Sequence, residues 1–207
     1  MEKEKLMIRQ EAPGDYRATE NLVREAFWNV YRPGCLEHFV IHEFRRRPEF
    51  CPELDLLMFL GDELIGQIMF VKNTLHTTAG ADIPILTLGP LCVRPDHQRQ
   101  GHGKRLLDHA LALAAKTGAA GVFLEGNIGF YGKSGFVVAS TLNIRYMDEP
   151  ADDPVPYFLC HVLDAEALHG IEARYRVPEG YLVDEALAEA FDRQFPPKER
   201  LRLPGQL

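Results

Sequence analysis

No stretch of this 207-residue chain approaches the ~20 consecutive apolar residues that cross a bilayer, so no membrane partner is expected. Nor does an apolar run follow the charged start Met1-Glu2-Lys3-Glu4-Lys5, so no secretory leader is expected and a cytoplasmic protein is the default expectation. An excess of positive charge is also missing: 23 Lys and Arg stand against 30 Asp and Glu, a net charge of −7. Non-specific binding to nucleic acid depends on basic surface, so no nucleic-acid partner is expected. The same balance is compatible with a cationic substrate. Cysteine is scarce and unpaired in sequence. Cys35, Cys51, Cys92 and Cys160 form no C-x-x-C, which argues against a zinc ribbon or a redox pair and for packed, reduced thiols. There is no internal repeat and no low-complexity tract. What remains is an ordinary globular composition, 46% hydrophobic and 26% charged, with enough length for one domain and an extension.

The chain reads in four blocks. The first is a strand, Leu6 to Gln10, and two helices, about Tyr16 to Phe27 and Leu36 to Arg47, separated by Pro33-Gly34. The second is a hairpin, Asp55 to Leu60 and Leu64 to Val71, turning at Gly61-Asp62-Glu63, followed by a less regular segment. In the third, Ile83 to Val93 is β-prone but contains Gly89-Pro90. Proline removes a ladder hydrogen bond, so this strand should be bulged or forked there. A turn, Arg94 to His97, and a glycine-containing loop lead into a helix striped by Leu106, Leu107, Ala110, Leu111 and Ala114. Gly121 to Leu124 then returns as a buried strand, completing a βαβ unit. The fourth block holds a short helix or turn, Gly126 to Lys133, and a strand pair, Phe136 to Tyr146 and Tyr157 to Leu163. Between those strands lies an acidic loop containing Asp148, Glu149, Asp152 and Asp153. A tail helix covers about Asp184 to Gln194.

The loop before the third-block helix carries the chemistry. The first turn of a helix leaves amides unpaired, and the macrodipole makes that end positive. Gly101 and Gly103 would let backbone approach an anion, with Arg99, Lys104 and Arg105 adding charge. Cations at a helix start are unfavourable unless an anion sits there. The common nucleotide signatures fail. A Walker A loop would need Gly at 98 and Ser or Thr at 105, where Gln98 and Arg105 stand. A dinucleotide fingerprint would need a small residue at 106, which is Leu106.

The run Leu91-Cys92-Val93-Arg94-Pro95-Asp96-His97-Gln98-Arg99-Gln100-Gly101-His102-Gly103-Lys104 resembles the acyl-CoA-binding motif of the GNAT superfamily of N-acetyltransferases, [QR]-x-x-G-x-[GA] opening a helix. Downstream, Phe130-Tyr131-Gly132-Lys133-Ser134-Gly135-Phe136 resembles the family's F-Y-x-K-x-G-F segment. The resemblance is densest from Leu88 to Phe136. It implies an α/β (α+β) fold with a mixed, mostly antiparallel sheet flanked by helices, a splayed strand and a βαβ acyl-CoA-binding unit. The transferase domain is expected over residues 1–163, with 164–207 an extension packed on it.

The resemblance also assigns roles. Amides of Arg99, Gln100, Gly101, His102, Gly103 and Lys104, with Gln98 before them, would bind the CoA pyrophosphate. Leu91, Cys92 and Val93 would pair with pantetheine through main-chain groups, and a donor near Cys92 would serve the oxyanion. Tyr131 matches the general acid, and Lys133 belongs to the same motif. The family's asparagine, about seven positions before the tyrosine, is replaced by Leu124; Asn127 is the nearest and would reach the pantetheine arm. Glu125, ending a strand beside the cleft, is the candidate general base, with a solvated carboxylate as its plain alternative. The implied cosubstrate is acetyl-CoA with no metal, and the implied partner is the amine of a small molecule or peptide. A longer acyl donor, a CoA-binding sensor without activity and a homodimer are left open. Among other polar residues, His38 and His42 have zinc-compatible spacing but no clear third ligand. Glu63 is expected to be solvated, and Arg45-Arg46-Arg47 to lie on the surface.

Overall fold

The structure is a computed structural model describing residues 5–147, 150 and 153–206. Of the acidic loop, Asp148, Glu149 and Asp152 lie outside the described residues. No helix among the described residues is long and apolar enough to cross a membrane.

β1 (Leu6–Gln10), β2 (Leu56–Leu60), β3 (Glu63–Thr77) and β4 (Asp82–Val93) form an antiparallel run. β5 (Gly121–Glu125) joins β4 in parallel, and β8 (Phe158–Val162) joins β5 antiparallel, with β6 (Val137–Val138) outermost. Helices α1 (Tyr16–Phe27) and α2 (Glu37–Phe44) cover one face, and α3 (His102–Ala114) covers the other. The period of two decides which residue meets which helix. Ile68 and Phe70 pack with Leu106, Leu107 and Ala110 of α3, while Met69 and Val71 pack with Leu22, Val23, Ile41 and Phe44. α4 (Ile128–Tyr131) follows β5, and α5 (Glu185–Asp192) packs near α2.

Three readings need correction. The segment after the hairpin is regular: β3 runs on to Thr77 and pairs with β4 as far as His76↔Asp82. Phe136 to Tyr146 is not one strand. It breaks into β6, a 3-10 turn over Ala139–Leu142 with Asn143 at φ 56°, and β7 (Ile144–Tyr146). Only β6 pairs with β8; β7 pairs instead with β9 (Ala173–Tyr175), which the sequence did not announce. β9 also continues the sheet edge at Leu75↔Tyr175. The tail therefore contributes a strand to the sheet.

The disruption expected at Gly89-Pro90 is present. Ile68 pairs with Leu91 and Phe70 with Leu88, so Gly89 and Pro90 together oppose Met69 alone. That is a bulge, and it reverses the facing of everything beyond it. Leu86 and Leu88 face α3, yet Cys92 lies with the α1 and α2 residues and Leu91 turns to the α3 side. The parallel ladder between β4 and β5 ends at Thr87↔Phe123, immediately before the bulge. Past that point the two strands diverge into a fork.

Candidate active site

The site lies where the fork meets the start of α3. Arg94 N donates to Ile65 O at 2.8 Å, which makes Arg94 and Ile65 a hydrogen-bonded antiparallel pair. Such pairs alternate along a ladder, so Cys92 also turns its main-chain groups toward β3, while those of Leu91 and Val93 face the fork. The Val93 carbonyl accepts from Gln98 Nε2 at 2.9 Å on that side. Cys92 Sγ is buried, and burial pushes the thiol up to about 12, so it is no nucleophile at neutral pH.

The loop then closes sharply. Arg99 takes φ 60° and Gly101 φ 87°, both left-handed, and α3 starts at His102. Among the described residues, no main-chain amide from Arg99 to Lys104 has a hydrogen-bond acceptor, and the first intrahelical bond is Arg105 N to Gly101 O. No acidic residue occupies the first turn. The two glycines differ in purpose. A Cβ on Gly101 would meet nothing, so that glycine serves the positive φ and leaves open space. A Cβ on Gly103 would lie 3.4 Å from Phe130 and 3.6 Å from Val93, so that glycine serves close packing. Gln100 Nε2 donates to Asp96 O, and Lys104 Nζ is held by Asp108 at 2.6 Å, while Asp108 also accepts from Ser134. Lys133 is exposed one turn beyond α4.

Tyr131 is wedged over Gly126. A Cβ there would fall 2.4 Å from Tyr131 Cε2, and Phe130 and Phe136 make edge contacts with the Tyr131 ring at 4.8 and 5.5 Å. Burial, aided by the neighbouring Tyr31, raises the Tyr131 phenol above its ordinary range, so it is protonated at neutral pH. Asn127 caps α4, its Oδ1 accepting from Gly129 N at 2.7 Å. Glu125 is exposed at the end of β5 and accepts the Tyr146 hydroxyl at 2.6 Å. Tyr146 stands beside Phe158 and Tyr175, and Tyr175 Oη lies 3.0 Å from Thr87 Oγ1 at the fork's apex.

Sequence reading missed several polar residues. Glu63 is not merely solvated: it pairs with Arg94 and lies 3.3 Å from His97, tying the hairpin to the turn before the loop. Arg45 is buried, each of its ion pairs with Glu11 and Glu20 at 2.8 Å. His38 lies 3.1 Å from Asp192 and 3.3 Å from Cys35 Sγ, and His42 binds Glu20. The Cys35–His38–Asp192 sequence of contacts looks nucleophilic but is electrostatically inert. Burial drives the Cys35 thiol up and holds His38 down to about 4, so thiol and imidazole are both neutral. Only the fold brings α5 to α1 and α2, so spacing carried no sign of it.

A forked mixed sheet, with unpaired amides at the start of the helix beside the fork, defines an acyl-CoA-dependent transferase scaffold. The model of the acetyltransferase (GNAT) family matches residues 21–136, more than half of the chain, and the chain belongs to that family of acyltransferases. No curated protein matched it. Among solved structures it is similar to the GNAT family N-acetyltransferase YhbS of Escherichia coli, in complex with CoA. The two share a TM-score of 0.69 and 23% identity over 86% of this chain and 93% of that one. A GNAT family acetyltransferase of Brucella melitensis, in complex with acetyl-CoA, gives 0.60 and 23% over 84% and 97%. The loading GNATL domain of CurA from Lyngbya majuscula gives 0.52 and 17% over 77% and 98%. At these identities the likeness speaks for the fold.

Proposed function

We propose that this protein transfers the acetyl group of acetyl-CoA directly to a primary amine of a small molecule or peptide. One observation carries the reading: unpaired amides from Arg99 to Lys104 stand at the end of a fork whose β4 edge turns Leu91 and Val93 inward. A diphosphate fits the first feature and an extended pantetheine arm the second. Gln98 precedes the segment from Arg99 to Lys104, Gln100, His102 and Lys104 belong to it, and Asn127 and Lys133 lie on the chain that follows β5. The 164–207 extension acts as part of the same unit.

The chemistry then needs three services. The amine nitrogen attacks the thioester carbonyl, and negative charge moves to its oxygen. A main-chain donor at the bulge stabilises that charge; Pro90 has no N–H, so Leu91 supplies the first one facing the fork. The carbon–sulfur bond breaks, and the Tyr131 hydroxyl donates to the sulfur as charge develops there. The amine proton passes to Glu125, whose carboxylate is already oriented by Tyr146. The expected result for Tyr131→Phe is a kcat at least tenfold lower with acetyl-CoA affinity within twofold, measured by thiol release over an amine panel and by calorimetry. An unchanged rate with chemistry limiting would remove Tyr131 from the reaction.

A further inference from the structure

Tyr181 belongs to the extension, in a 3-10 turn over Glu179–Tyr181. Its hydroxyl donates to the Gly89 carbonyl at 2.7 Å. The bond falls on the bulge itself, at the residue where the fork begins. Three features build the contact. Gly89 takes φ 155°, which side-chain-bearing residues avoid, and a Cβ there would stand 3.5 Å from Tyr181 Oη. Gly180 presses on Phe44 so closely that a Cβ would fall 2.4 Å from Phe44 Cζ. The Tyr181 ring then packs on the same Phe44, its centroid 4.7 Å away, within the cluster that includes Met69 and Cys92. Met69 is the residue opposite the bulge. The extension thus reaches across α2 to hold one carbonyl of β4.

That carbonyl matters because its peptide plane leads through Pro90 to Leu91. We infer that Tyr181 is a positioning residue of the acyl-transfer site, fixing the Gly89 carbonyl so that the Leu91 amide stays aimed into the fork. The inference rests on the function proposed above. It makes the extension part of the transfer machinery, acting at the oxyanion end and not at the phosphate loop. Nothing in the family motifs, which end at Phe136, reaches residue 181.

Tyr181→Phe keeps the ring against Phe44 and removes only the donor. The expected result is a kcat about five- to tenfold lower, as one lost hydrogen bond at a reacting centre gives. CoA affinity by calorimetry and the melting temperature should stay close to wild type. A loss confined to stability or shared equally by CoA affinity would overturn the inference, as would an unaltered kcat. Amide NMR separates this outcome from failure of the functional reading. If wild type releases no thiol with any amine, the acetyl-transfer reading falls. The positioning claim still predicts a shifted Leu91 amide resonance in Tyr181→Phe with that of Gly101, in the phosphate loop, unchanged. Identical Leu91 resonances in both proteins would overturn it.

Discussion

A Cβ on Gly126 would lie 2.4 Å from Tyr131 Cε2, so the orientation of the phenol depends on a side chain that is not there. Gly126→Ala should displace the ring and lower kcat several-fold with acetyl-CoA affinity retained; an unchanged kcat would show that the Tyr131 orientation is irrelevant. His38 offers a second test at this scale. Burial holds its folded pKa near 4, with Asp192 opposing and Arg24 adding to the depression. In the unfolded chain the imidazole returns to about 6.5 and binds a proton the folded chain refuses. Stability is therefore full above about pH 6.5 and is lost as the pH falls toward 4, by about 2 kcal/mol at pH 5 from this group. Urea unfolding at pH 8 and pH 5 should show a smaller acid loss in His38→Gln; equal losses would contradict the assignment. Sequence spacing alone could not find this behaviour, because the burial that causes it comes from Phe191 and Phe195, which reach His38 from a distant part of the chain.

The start of α3 and the fork of β4 are legible from local rules. Gly101 follows a turn and opens a helix, and Pro90 interrupts a strand; both act within a few residues. Gly101→Val would force a β-branched residue to φ 87°, costing roughly 1–2 kcal/mol, and would fill the open space beside the free amides. Acetyl-CoA affinity should fall more than tenfold while the variant remains folded, as calorimetry and circular dichroism would show; unaltered affinity would take the loop out of the site. β1 and α1 were readable to their end residues for the same local reason, namely clean periodicity bounded by turn residues. Phe136 to Tyr146 was not. Its apolar alternation imitates a strand, but Asn143 at φ 56° turns the chain, and β7 finds its partner in β9, a three-residue strand too short to show a period. The catalytic candidates Tyr131 and Glu125 were visible through a motif and a strand end. Tyr146, Tyr175 and Tyr181, which the tertiary structure brings to the same fork, were not.

On the scale of the molecule, the extension is bound by its polar as well as its apolar contacts. Arg24, buried in α1, has its guanidinium 2.6 Å from Asp192 of α5, and Phe191 and Phe195 pack with Phe39. Ending the chain after residue 178 would strip Arg24 of that carboxylate and uncover Phe39, whose partners Phe191 and Phe195 go with the deleted segment, at a cost of several kcal/mol. Loss of a cooperative melting transition is expected; an unchanged melt would mean the extension is an appendage. Charge is also organised at this scale. The chain carries −7 overall, yet Arg99, Lys104 and Arg105 lie in or directly after the loop. Acetyl-CoA affinity should therefore fall as salt rises, despite the acidic whole.

The central claim is that main-chain amides from Arg99 to Lys104 hold a diphosphate. Its most direct measurement is a crystal structure grown with saturating acetyl-CoA. The account predicts pyrophosphate oxygens within about 3 Å of those nitrogens and the pantetheine arm between β4 and β5. Coenzyme bound elsewhere, with the loop amides facing only solvent, would contradict it.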